Sequence, residues 1–254
     1  ESYTIILNPG RTFGVLEFMY TLKQAGCVRV PRVAETQTIV YTCRREADNV
    51  VRIYALKEGI PIATLKREDL PIVMEAMPRC IRNYFLPVDD YLITSFGNVG
   101  MLLHCAPVIM NVGWIENKKM KFEYYYDGIS ESVAGVIEKI DKERIAVAKG
   151  MGVDVESLIG WLSRTYQTKG NNLFEHLQSN SYYRGIDAPK SIHHRYLEED
   201  VPNGLVAIES AGRLLGISTP VISSIISMAN LLMDCDYRKK GRDYSILRNV
   251  EDYT

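Results

Sequence analysis

Few side chains in this sequence are suited to proton chemistry near neutrality, and three of them are histidines in telling places. His193 and His194 open the most charged stretch of the second half, HHRYLEEDVPNGLV at 193–206. They have no partner at metal-ligand spacing and the chain has no HExxH, so a zinc site is not indicated. Read alone, Arg195 with Glu198, Glu199 and Asp200 is a charge run on a solvated loop ahead of a helix. The third, His104, lies in the apolar run TSFGNVGMLLHCAP at 94–107. If buried there, its ring N–H needs a partner, which leaves two readings: an acid/base group or a satisfied core histidine.

Other chemistries leave weaker traces. The chain contains no GxGxxG, no GxGxxA and no Walker motif, so neither the dinucleotide fingerprint nor a phosphate loop is present. One turn, NPGRTFG at 8–14, joins a strand to a helix where backbone N–H groups could receive an anion; an ordinary strand-to-helix turn reads equally well. There is no GxSxG, and none of the five cysteines stands in a protease-like context. Cys27, Cys43, Cys80, Cys105 and Cys235 lack CxxC spacing and sit among apolar neighbours, as reduced core residues of a cytoplasmic protein would.

The elements that must position these residues change character near residue 97. Before it the pattern is α/β: strands at 5–7 and 38–43, a helix at 15–24, a hairpin of 50–56 with 61–65, a helix at 70–84 and a strand at 91–95. After it the period becomes 3.6, with helices through 133–148, from an Asp154 cap through Tyr166, from Gly204 to Leu215, and from Pro220 to Met233. The expected domains are therefore 1–97 and 98–254. At 254 residues the chain can bury a core in each. Thirty basic against 31 acidic side chains, a formal charge of −1, provide no field that would favour nucleic acid. No apolar run is expected to approach a membrane span, and no signal-peptide pattern opens the chain. Thr4–Leu7 reads as a buried strand at the very start, so sequence upstream of Glu1 is expected.

Six blocks in order resemble the octopine and nopaline dehydrogenase family, the opine dehydrogenases. They are LNPGRTFGVLEF at 7–18, VAETQTIVYTCR at 33–44, TSFGNVGMLLHCAP at 94–107, YYYDGISESVAGVIEKIDKERIAVAKGMG at 124–152, NSYYRGIDAPKSIHHRYLEEDVPNGLV at 180–206 and GRLLGISTPVISSII at 212–226. Together they cover most of the chain.

The resemblance implies an α/β plus all-α fold: the C-terminal half of a Rossmann-like dinucleotide-binding domain, then a helical substrate and dimerisation domain. It implies condensation of an amino acid with a 2-oxo acid such as pyruvate, followed by reduction with NADH or NADPH, and a protein that binds these small molecules but neither nucleic acid nor membrane. A homodimer is left open. His104 matches the family's acid/base histidine, Asp200 its carboxylate partner and Arg195 the arginine that grips a substrate carboxylate. Arg11 and Thr12 in the first turn, and Gln37, Thr38 and Cys43 on the strand that follows, match less uniform positions of the amino-acid pocket; as a surface turn and a core strand they need no function. The departure is the missing cofactor fingerprint: the family uses NAD or NADP, and this chain alone is expected to bind the cofactor weakly or not at all. Two other readings stay open: another two-domain reductase of ketopantoate-reductase or glycerol-phosphate-dehydrogenase type, and a non-catalytic binding or oligomerisation domain.

Overall fold

The structure, a computed structural model, describes residues 3–253. It divides into two compact units, Glu1–Asn98 with Ser245–Thr254, and Val99–Tyr244.

The described residues of the first unit form six strands, β1 (Thr4–Leu7), β2 (Arg32–Thr36), β3 (Tyr41–Ala47), β4 (Val50–Leu56), β5 (Ile60–Thr64) and β6 (Phe85–Pro87). Four of them form a mixed sheet in the order β1-β2-β5-β6. β1 runs parallel to β2 with Ile6 beside Ala34, β2 antiparallel to β5 with Glu35 beside Ala63, and β5 parallel to β6. Ala34, Val40, Ile60, Ile62, Val73, Met77 and Phe85 form one core cluster of this unit. Helix α1 (Gly14–Gln24) buries Val15, Leu16 and Met19.

Several expectations for this half are corrected. The hairpin of 50–56 with 61–65 does not form: β4 pairs with β3 around Asp48-Asn49, while β5 joins the main sheet. The reason is burial. β4, VVRIYAL, is mostly exposed and suits a two-stranded ribbon, whereas IPIAT of β5 is buried along nearly its whole length and suits a central strand. The expected strand at 38–43 is two features: β2 ends at Thr36, residues 37–40 turn, and β3 begins at Tyr41. The expected helix at 70–84 is divided by Pro78 into α2 (Leu70–Ala76) and α3 (Arg79–Arg82). The expected strand at 91–95 is instead helix α4 (Tyr91–Phe96), because Asp90 caps it by accepting the Leu92 N–H at 2.8 Å. Its β-branched, aromatic composition misled the pattern reading.

The second unit is helical: α5 (Gly100–Met110), α6 (Val112–Ile115), α7 (Glu131–Gly150), α8 (Leu158–Tyr166), α9 (Leu173–Gln178), α10 (Arg195–Glu198), α11 (Val206–Leu215) and α12 (Pro220–Met233). α7 packs on α5, α9, α11 and α12, and it starts at a Ser130 cap on Val133 N–H. The cap of α8 is Ser157, not Asp154. The fully buried Arg144 of α7 is paired with Asp141 at 2.6 Å, whose other oxygen accepts the Leu158 N–H. That buried pair fixes the start of α8 to α7. Gly216, at φ 70°, closes α11 as expected.

Two further expectations change. Tyr91–Met110 is, by length and composition, apolar enough to cross a membrane, with mean hydropathy 1.5. Of that window 83 % is buried inside the protein, and Gly97–Val99 interrupts it, which is how core helices look. Among the five cysteines, all free, only Cys105 is buried; Cys80 is exposed and the others are half-buried.

Candidate active site

His104 sits in the middle of α5, a helix buried from Met101 to Val108. A helix apolar on every side exists only where neighbours cover it fully, so its single imidazole is enclosed in turn. Asp200 follows α10 and leads into one wide, π-helical turn, Val201–Leu205, which continues as α11. The helix expected from Gly204 begins at Val206 instead, and Pro202 and Gly204 belong to this turn. Gly204 permits its approach to α5, since a Cβ there would lie 2.7 Å from Met101 Sδ. Met101 precedes His104 by three residues, on the same face of the helix.

This approach brings Asp200 Oδ2 to 2.6 Å from His104 Nδ1. Both residues are buried, Asp200 at 1 % exposure and His104 at 8 %. The imidazole therefore donates Nδ1–H to the carboxylate, and Nε2 remains as the nitrogen that can gain or lose a proton. Across Nε2 stands the hydroxyl of Tyr125, at 3.5 Å. The ring of Tyr196 stacks on the imidazole with centroids 3.7 Å apart and planes 12° apart. Tyr124 donates its hydroxyl to the carbonyl oxygens of His104 and Leu103 at 2.9 and 3.3 Å. Burial and neighbouring ionisable groups push the Tyr124 hydroxyl well above its ordinary pKa, so it stays a donor.

Arg195 opens α10, half exposed, with its guanidinium 5.8 Å from the Tyr196 ring and 3.9 Å from Glu199. That loose surface pair leaves it able to take another carboxylate. His194 caps the same helix through Nδ1, which accepts the Tyr196 N–H at 3.3 Å, and Glu198 lies 3.7 Å from His193 at the surface. Of the charge run, only Asp200 is buried.

The first unit holds the remaining candidates. Thr12 is fully buried and accepts from Asn98 Nδ2 at 3.4 Å; Arg11 precedes it in the left-handed region at φ 64°. Gln37 and Thr38 lie in the turn after β2, not on a strand, and Cys43 is half-buried on β3. Gln37 donates to the Gly97 carbonyl at 2.9 Å, while its own side-chain oxygen is buried without a hydrogen-bond partner. The turn at 8–14 is no anion cradle. The buried carboxylate of Glu35 already accepts the Val15 N–H at the start of α1, at 2.9 Å, and the hydroxyls of Thr94 and Ser95 at 2.7 and 2.6 Å. Ser95 in turn accepts the Phe13 N–H.

Sequence reasoning missed Glu35, Tyr125 and Tyr196. The signal for Glu35 was an acid inside an apolar strand, VAET, facing a turn built to receive negative charge. For the tyrosines it was the run YYY at 124–126 and the aromatic beside Arg195. Among the described residues no group of histidine, cysteine and acids could hold a metal ion.

The family model for the α-helical domain of NAD/NADP octopine/nopaline dehydrogenase matches residues 87–233. An opine dehydrogenase from Arthrobacter sp. (strain 1C) is 36 % identical over 242 residues, 95 % of this chain and 67 % of the relative. A solved structure of yersinopine dehydrogenase with bound NADP+ superposes with a TM-score of 0.77 at 12 % identity, over 99 % of this chain and 73 % of that one. Octopine dehydrogenase with NADH and L-arginine gives 0.72 at 18 % identity, over 96 % and 67 %. The chain spans 67 % of the Arthrobacter protein but 60 % of a second curated relative, Protein ocs from Agrobacterium tumefaciens (strain Ach5). The fold these neighbours share is a Rossmann-like domain followed by a helical one, and the match over the helical unit together with the 36 % identity shows that the chain belongs to the octopine/nopaline dehydrogenase family, the NAD(P)-dependent opine dehydrogenases.

Proposed function

We propose that this chain performs the substrate-side chemistry of an opine dehydrogenase: condensation of an amino acid with a 2-oxo acid such as pyruvate, and reduction of the resulting imine to a secondary amine. The observation that supports this best is the buried His104–Asp200 pair, 2.6 Å apart, inside the segment matched by the family model. NADH or NADPH supplies the hydride in such enzymes. The chain lacks the glycine fingerprint, and at its 8–14 turn the Glu35 carboxylate already accepts the Val15 N–H at the start of α1, so this turn does not fit a cofactor pyrophosphate.

His104 Nε2 removes a proton from the substrate ammonium, freeing the amine to attack the 2-oxo carbon. It returns a proton to the carbinolamine oxygen, which leaves as water. Both steps need a group that exchanges protons near neutrality, and the carboxylate on Nδ1 holds the tautomer and supports the imidazolium formed between them. Arg195 holds the 2-oxo acid carboxylate through two N–H donors, an orientation a lysine would not impose. Arg11, Thr12, Gln37, Thr38 and Cys43 are substrate-binding residues of second rank; Gln37 stands out among them for its unpaired buried oxygen. Five free cysteines suit a reducing cytoplasm.

The test is NADH and NADPH oxidation, with pyruvate and a panel of amino acids, by this chain joined to a dinucleotide-binding segment that carries the glycine fingerprint it lacks. Oxidation that depends on both substrates is expected. A folded protein that oxidises neither cofactor with any pair contradicts the proposal.

A further inference from the structure

The contact of His104 with Asp200 accounts for one ring nitrogen; the other nitrogen has a neighbour of its own. Tyr125 is 4 % exposed, and its ring is clamped between Tyr183, stacked at 4.1 Å, and the edge of Tyr124 at 5.0 Å. Its hydroxyl therefore has little freedom to swing away from Nε2, 3.5 Å distant. We infer that Tyr125 is a positioning residue for the proton on His104 Nε2, its hydroxyl serving that nitrogen in both protonation states.

A phenol suits this task because it both donates and accepts. To the neutral imidazole it gives its O–H; from the imidazolium it accepts Nε2–H. The proton itself moves only between Nε2 and the substrate, so Tyr125 reverses its hydrogen bond and stays un-ionised. A distance of 3.5 Å is long for a resting hydrogen bond, and contacts of this kind tighten when substrate is in place. Tyr196 completes the frame, since its ring lies flat on the imidazole and holds the plane in which Nε2 points.

The groups that face His104 agree on a sign. Asp200 is the charged group hydrogen-bonded to it. Tyr124 turns its hydroxyl to backbone carbonyls, and Cys105 turns its thiol to the Tyr196 carbonyl at 3.5 Å. The Tyr196 ring presents its face, and the Arg195 guanidinium lies on that ring, not on the imidazole. Hydrogen bonds to a charged partner are about twice as strong as neutral ones, so the Tyr125 oxygen favours the imidazolium more than its O–H favours the neutral ring. Its removal must move the His104 titration to lower pH.

The catalytic meaning of this contact rests on the dehydrogenase reading, whereas the contact itself can be read without turnover. The experiment is NMR titration of the His104 imidazole in the full chain, for wild type, Tyr125→Phe and a chain carrying 3-fluorotyrosine at position 125. Tyr125→Phe keeps the stack and loses the hydroxyl; its His104 midpoint is expected to fall by about half a pH unit or more. Fluorotyrosine keeps the shape and weakens the acceptor, so a smaller fall is expected even if Tyr125→Phe folds poorly. Where the enzyme turns over, the pH profile of kcat should move with the midpoint. Midpoints unchanged in both variants overturn the inference, whatever the activity. Shifted midpoints in the variants, with no amino-acid-dependent oxidation by the chain joined to a dinucleotide-binding segment, overturn the dehydrogenase reading instead.

Discussion

At the level of single residues, the proposed chemistry depends on a pair 96 positions apart in sequence. His104→Ala and Asp200→Ala should each lower kcat roughly 100- to 10,000-fold, the range associated with loss of a positioned acid/base group. Cofactor affinity should change little, because neither residue lies in a cofactor motif. Steady-state kinetics with a separate NADH titration checks both statements, and equal losses in kcat and cofactor affinity would argue for a structural role. Arg195→Ala should raise the KM of the substrate whose carboxylate it grips by about 10- to 100-fold, the equivalent of charged hydrogen bonds of 1.5–3 kcal/mol, with a smaller effect on kcat. Residue types were legible in the sequence. Their pairing was not: nothing local in HHRYLEED separates Asp200, buried to 1 %, from Glu198 and Glu199, which remain at or near the surface. The family resemblance singled it out.

Elements decide whether those residues meet. The wide turn at Val201–Leu205 can approach α5 only because residue 204 lacks a side chain. Gly204→Ala should therefore destabilise the second unit by about 1–3 kcal/mol, as overpacking does. It should also lower kcat more than Ala substitutions on the exposed face of α12, because the displaced turn is the one that follows Asp200. Denaturant melts and kinetics on the same variant separate the two effects. In the first unit, Lys57 donates to the carbonyls of Ile39 and Tyr41 at 2.8 and 3.2 Å, bracing the turn that contains Gln37 and Thr38. Burial lowers its pKa to about 8, with Cys43 opposing the shift. Between pH 8 and 10.5 the unfolded chain keeps a proton there that the folded chain has released, so the unfolded state binds more protons and stability rises with pH. Wild type should gain on Lys57→Met as pH goes from 7 to 9.5 in urea melts; a difference independent of pH would contradict this. Helix periodicity made most of the second unit legible, since amphipathic stripes such as that of α7 repeat over many residues. Short strands were harder. An Asp90 cap outweighed the β-like composition of α4, and the pairing of β5 with β2 was a long-range choice that local alternation could not express.

For the molecule as a whole, the α/β-then-helical order was visible as a change of period near residue 97, close to the boundary between the compact units at Asn98. Residues 245–253, grouped with the first unit, gave no such signal, because no periodicity tells a segment which unit it will join. The mixed charge, −1 over 254 residues, excluded a global field without indicating a small-molecule substrate. The most direct test of the account joins the chain to a dinucleotide-binding segment carrying the glycine fingerprint, supplies 15N-labelled amino acid, pyruvate and NADH or NADPH to wild type and to His104→Ala, and follows the product by mass spectrometry. Wild type is expected to form a secondary amine that keeps both the 15N label and the pyruvate carbons, and His104→Ala is expected to lose most of that product. Consumption of the cofactor with lactate as the sole product, or an unimpaired yield of the amine from His104→Ala, would contradict it.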